Sequence, residues 1–183
     1  QVIDVASDSA PEQDAMGSGR KRESALVGQF GGIAVKFREK KMSGMQNPLD
    51  VFSVKGRVAV VTGAGSGLGR AIAILLARAG SKLVLADIDR PGADETAGMI
   101  EALGGVAMAS TVDVTDAVAV DGLAAAALEA FSRIDIWVNV AGMVMLSPLL
   151  ETRPDKAARV LAVNALGVQN GCAAAGRAMQ ETG

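Results

Sequence analysis

The 183 residues contain no tyrosine and no histidine, and only one cysteine, Cys172. Without phenol or imidazole groups, the stretch is limited in the proton-transfer chemistry it can perform by itself. A single thiol excludes an internal disulfide and suits a reducing, cytoplasmic setting. Cys172 stands among helix-forming alanines, which points to a small helix residue rather than a reactive thiol. Charge of either sign is nearly balanced: 18 basic and 20 acidic residues leave a net −2, with no basic surplus to grip nucleic acid. No apolar run reaches the length of a membrane span. No metal site is expected. With 50% hydrophobic residues the chain can build a packed core. The expected partners are small molecules or further copies of the chain.

Composition changes near residue 45. Residues 1–44 open with acids (Asp4, Asp8, Glu12, Asp14) and continue with bases (Arg20, Lys21, Arg22, Lys36, Arg38, Lys40, Lys41). They sustain neither helical nor strand periodicity, so they read as a tail that cannot order itself by burial. The basic cluster reads as a solvated stretch rather than a targeting signal, because a transit peptide would be poor in acids. Met42 and Met45 lie just upstream of the regular part, which leaves open that the residues before Met45 are not native.

Beyond that point, short apolar runs alternate with helical patterns. Strands are expected over 57–62, 82–87, 106–111 and 135–140. Helices are expected over 67–79, 92–103 and 116–131, and from Pro154 towards Thr182. Such alternation predicts an α/β, doubly wound parallel sheet of the Rossmann kind. Right-handed crossovers give the strand order 3-2-1-4.

The first strand runs directly into Thr62-Gly63-Ala64-Gly65-Ser66-Gly67-Leu68-Gly69. A glycine-rich turn between strand and helix lets backbone approach a ligand closely, and the free N–H groups of the helix start suit a diphosphate. The spacing is not G-x-G-x-x-G, because Leu68 occupies the place of the last glycine. It is Thr-Gly-x-x-x-Gly-x-Gly. Asp87 ends the second strand, 18 positions beyond Gly69, near the spacing expected of an acid that binds an adenosine ribose. The plainer alternative is that Asp87 only begins a solvated turn with Asp89 and Arg90.

Residue for residue, this turn resembles that of the short-chain dehydrogenase/reductase family, classical type. Residues 48–183 are similar to the first half of a family domain. The resemblance implies cofactor contacts from Gly63, Ser66, Gly67, Leu68 and Gly69, with Asp87 on the ribose. Asp87 would repel a 2′-phosphate, and Ser66 stands where NADP-preferring relatives often carry a base, so NAD is expected over NADP. Asp113 and Val114 lie where the family contacts adenine, although Thr115 or Asp116 there could equally serve as a helix cap. Asn139-Val140-Ala141-Gly142 looks like the family's Asn-Asn-Ala-Gly element, which supports the central sheet beside the cofactor; Val140 is the departure. Trp137 reads as core filling; Met143 and Met145 could line a substrate mouth, but pliable packing is the better reading. Asn164 matches the helical asparagine that opens the helix and holds a water in the family's proton relay, as the one catalytic residue present.

The resemblance further implies a serine and a Tyr-x-x-x-Lys pair that these residues do not contain. The chain is therefore expected to be a fragment, inactive alone, of an enzyme moving a hydride between NAD and an alcohol or ketone, and homo-oligomeric at full length. Its last strand would expose an open sheet edge and its last helix an apolar face, so the isolated chain should be poorly soluble or partly ordered. Two other readings stand beside this one. One is a non-catalytic dinucleotide-binding or interaction module, supported by the missing tyrosine. The other is an NADPH-dependent 3-ketoacyl reductase, which Asp87 argues against.

Overall fold

The computed structural model describes Leu26–Phe30, Ile33–Phe37 and residues 53–182. Two compact units divide the chain near residue 51. In the first, β1 (Leu26–Phe30) pairs antiparallel with β2 (Ile33–Phe37), Leu26 opposite Phe37 and Phe30 opposite Ile33. The tail reading did not foresee this pair. Its signal is two β-rich runs on either side of Gly31-Gly32, a hairpin pattern masked by the charged residues around it. The rest of the expectation for residues 1–44 lies outside the described residues.

In the second unit the order is β3 (Val58–Thr62), α1 (Gly67–Arg78), β4 (Lys82–Asp87), α2 (Arg90–Ala102), β5 (Val106–Thr111), α3 (Ala117–Phe131) and β6 (Ile136–Val138). A 3-10 turn (Leu149–Glu151), α4 (Pro154–Leu161), a π turn (Ala162–Leu166) and α5 (Gly167–Thr182) follow. The sheet is parallel and its order is β5-β4-β3-β6, the doubly wound 3-2-1-4 arrangement that the alternation predicts.

Both faces of the sheet are covered, and the strand period of two decides which residue faces which side. Val58 and Val60 of β3, with Val84 and Ala86 of β4, face Val120, Leu123 and Ala127 of α3 and Ala174 and Ala178 of α5. Ala59, Val61, Leu83 and Leu85 face Ala73 of α1 and Ala97 and Ile100 of α2. The central strands are apolar on both sides because both sides are buried. Among the described residues β6 pairs with β3 alone, and its three residues are only half-buried.

Several boundaries differ from the sequence reading for local reasons. Helix α2 begins at Arg90, two residues early, because Pro91 fits a first helical turn where no N–H is needed. Asp116 caps α3, its carboxylate accepting from Val118 N–H at 2.9 Å and Ala119 N–H at 3.2 Å. That settles the capping choice against Thr115. Strand β6 is shorter than 135–140 because Asp135 is held at its mouth by other bonds. Its carboxylate accepts from Val58 N–H at 2.9 Å, Arg57 at 2.7 Å and Arg133. Burial pushes this carboxyl up, but the bonds from Arg133, Val58 and Arg57 together outweigh it and hold it below the ordinary range. No helix among the described residues is long and apolar enough to cross a membrane.

Candidate functional site

The carboxyl ends of β3, β4, β5 and β6 open onto a cleft of about 680 Å³. Clefts form there in open α/β sheets because neighbouring crossovers leave in opposite directions where the strand order reverses. Gly63, Ser66, Gly67, Leu68 and Gly69 line one wall, and Asp87 stands at the end of β4. Asp113 and Val114 follow β5, and Ala141 and Gly142 close the side after β6. Ten of the twelve sequence-predicted site residues thus meet around one space.

Backbone packing explains the glycines that matter most. Gly63 has φ +66° and is wedged so tightly that a Cβ would lie 2.7 Å from Ala141 N. A Cβ on Gly69 would lie 2.0 Å from the Gly63 carbonyl oxygen, so α1 can start against the turn only without a side chain there. Thr62, fully buried, fastens the opposite wall: its hydroxyl accepts from Val140 N–H at 3.1 Å and Ala141 N–H at 3.2 Å.

The N–H groups of Ser66, Gly67 and Leu68 have no hydrogen-bond partner among the described residues. They sit at the start of α1, where the helix dipole places partial positive charge, and a Cβ at Gly67 would meet nothing within 4 Å. Open space and unpaired donors together fit a diphosphate. Asp87 is fixed by both oxygens, one accepting from Gly65 N–H at 2.8 Å and the other from Asp89 N–H at 2.9 Å. A carboxylate oxygen holds two lone pairs, so each keeps capacity for a ligand hydroxyl.

Arg159 of α4, which sequence reasoning missed, also lines the cleft. It donates to Asp113 at 2.9 Å and to the Thr115 hydroxyl at 3.2 Å. Nothing local marks it: its partners are 46 and 44 positions away. The Arg159 guanidinium, the Thr115 hydroxyl and the Thr115 N–H hold the Asp113 carboxyl down at about 2, against an ordinary 3.8. A carboxyl held below its unfolded value stabilises the fold fully above about pH 5 and loses that contribution as pH falls through its folded value. Arg159→Met is expected to raise the Asp113 midpoint towards 3.8, read from the carboxyl carbon shift in an NMR titration. An unmoved midpoint would show that Thr115 alone sets it.

Two predicted residues lie elsewhere. Asn139 is outside the cleft lining, and its side chain accepts from Trp137 Nε1 at 2.9 Å and reaches Cys172 Sγ at 3.5 Å. It lies so close over α5 that a Cβ on Gly171 would be 2.0 Å from its oxygen. Its side chain therefore braces β6 against α5, the sheet-supporting part of its expected role. Asn164 sits in the π turn, where Gly167 N–H bonds back five residues to Ala162 C=O. Its side chain accepts from Met143 N–H at 2.9 Å and donates to Met143 C=O at 2.8 Å. This two-point clamp ties the π turn to the loop between the cleft and a second recess of about 440 Å³, lined by Met143, Met145, Val160 and Leu161. The methionines therefore line open space rather than fill a core. Among the described residues no group of three or more potential metal ligands occurs.

Residues 57–183 match the family model described as short chain dehydrogenase. The chain belongs to the short-chain dehydrogenase family. It is 44% identical over 123 residues to the Mycobacterium tuberculosis protein named Probable oxidoreductase EphD, covering 67% of this chain and 21% of that one. It is 38% identical over 132 residues to D-threitol dehydrogenase of Mycolicibacterium smegmatis, covering 72% of this chain and 51% of that one. Among solved structures, a short chain dehydrogenase/reductase from Burkholderia phymatum in complex with NAD shares 40% identity. That match has a TM-score of 0.68 and covers 70% of this chain and 46% of the other. The chain spans about half, or less, of these relatives' lengths.

Proposed function

We propose that residues 57–183 form the cofactor-binding half of an NAD-dependent oxidoreductase that moves a hydride between the dinucleotide and an alcohol or ketone. The observation that carries this reading is the alignment of the turn with Asp87. Ser66, Gly67 and Leu68, whose N–H groups are unpaired among the described residues, line one part of the cleft, and a carboxylate held by Gly65 N–H stands at its end. In this reading the turn holds the pyrophosphate and Asp87 accepts the adenosine ribose hydroxyls. Asp113 and Val114 border the adenine, and Ala141 and Gly142 lie beside the cofactor. A bound nicotinamide dinucleotide would supply the hydride acceptor or donor.

The π turn at Asn164 supports its reading as a relay position, because widening a helix there leaves main-chain groups outside the regular bonding pattern. The recess beside Asn164, apolar and rimmed by Met143 and Met145, would receive the substrate. In the family the proton for the substrate oxygen comes from a Tyr-x-x-x-Lys pair, and these 183 residues hold no tyrosine. NAD in place of NADP rests on the Asp87 charge. EphD and D-threitol dehydrogenase are named as oxidoreductase and dehydrogenase, which agrees with hydride transfer but names no substrate for this chain.

The test is turnover by the native protein, purified and characterised by mass and C-terminal sequence, with NAD and a panel of secondary alcohols. Growth of NADH absorbance with any alcohol is expected. Nucleotide binding without turnover, in a protein whose sequence holds no Tyr-x-x-x-Lys, would instead favour a non-catalytic dinucleotide-binding module. The zero tyrosine count speaks for that second reading.

A further inference from the structure

We infer that Thr96 and Arg70 are a pair of positioning residues that preset the phosphate-binding turn from behind, through its carbonyl groups. The inference rests on the cofactor reading above and adds two residues that touch no ligand. Thr96, on α2, is fully buried. Its hydroxyl donates to Ala64 C=O at 2.8 Å, with Gly92 C=O also near at 3.0 Å, and accepts from Arg70 Nε at 3.0 Å. Arg70, on α1, donates through Nη2 to Gly65 C=O and to Glu95 at 2.6 Å. Helix α2 comes this close only because residue 92 is glycine: a Cβ there would lie 2.9 Å from the Gly65 carbonyl oxygen.

These two carbonyls belong to successive residues of the turn, and a trans peptide points its C=O and N–H in opposite directions. With Ala64 C=O drawn to Thr96, the Gly65 N–H faces the other way, where it meets Asp87 at 2.8 Å. With Gly65 C=O drawn to Arg70, the Ser66 N–H also turns away from α2, and Ser66 lines the cleft. One buried hydroxyl and one guanidinium thus set both the unpaired N–H that faces the diphosphate and the donor that fixes the ribose-side carboxylate. Preorganising donors before the ligand arrives is what gives such a turn its affinity.

The test separates the diphosphate from the adenosine. Affinities for NADH and for adenosine alone are measured on the wild-type protein, Thr96→Val, Thr96→Ser and Arg70→Lys. Thr96→Val keeps the shape but leaves Ala64 C=O and Arg70 Nε without a partner, so NADH should bind about tenfold more weakly, and adenosine should weaken with it through the Gly65 N–H that holds Asp87. Thr96→Ser restores the hydroxyl and should restore NADH affinity. Arg70→Lys keeps the charge but loses the planar fork on Gly65 C=O, so NADH should weaken while adenosine changes by less than about twofold. Unchanged NADH affinity in both Thr96→Val and Arg70→Lys would overturn the inference. So would equal weakening of NADH and adenosine in Arg70→Lys, which marks a general structural defect. A wild-type protein that binds no NADH would overturn the cofactor reading itself.

Discussion

Gly69→Ala is expected to abolish dinucleotide binding and to cost about 3 kcal/mol of stability, at the upper end for overpacking. The added Cβ would lie 2.0 Å from the Gly63 carbonyl oxygen, 2.6 Å from its carbon and 3.1 Å from Ala64 Cα. All three are backbone atoms, so no rotamer change relieves the contact. Gly63 cannot withdraw either, because the Val140–Ala141 backbone fills the space on its Cα side. The helix start must therefore move, and the N–H groups of Ser66, Gly67 and Leu68 move with it. Gly98→Ala is the control. It lies mid-way along α2 with nothing within 4 Å of the added carbon, and should stabilise by about 0.5–1 kcal/mol through helix propensity. Urea melts and a nucleotide titration on both variants read the two effects separately.

Asp87→Asn should lower the ratio of NADP to NAD dissociation constants by about a hundredfold. A carboxylate a few ångströms from a 2′-phosphate repels it by about 3 kcal/mol at the effective dielectric of a partly exposed cleft. The amide oxygen of asparagine can still accept from Gly65 N–H, now at 2.8 Å to the Asp87 carboxylate, so that bond to the turn is kept while the charge and the bond from Asp89 N–H are lost. Relief of repulsion is the whole expected gain, because Ser66 offers no cation to the phosphate. Competitive binding of the two nucleotides measures the ratio. A ratio unchanged by the substitution would mean that Asp87 does not face the ribose.

What the sequence made legible follows from local physics. The apolar runs at 58–62 and 83–86 are buried on both faces, and such strands read as continuous apolar stretches. The glycines of the turn mark close backbone contacts, so their spacing carried the geometry of one cleft wall. Arg159 was illegible because its pairing with Asp113 joins two elements distant in the chain, and a lone arginine on a helix looks like a solvated one. The π turn was equally hidden from residue patterns. Ala162-Val163-Asn164-Ala165-Leu166 contains no glycine or proline, and only the family resemblance of Asn164 pointed there. The orientation of Asn139 was readable but not read. Alternation puts residue 139 on the same face as Trp137, towards α5, while Val138 and Val140 pack on the opposite side. A side chain on that face braces the sheet rather than lining the cleft.

The most direct test of this account is a calorimetric titration of the protein with NADH. The account predicts one saturable site with a dissociation constant of about 10–100 μM, weaker binding of NADPH, and loss of the site in Gly69→Ala. No saturable binding of NADH up to millimolar concentration, in a protein shown to be folded, would contradict it.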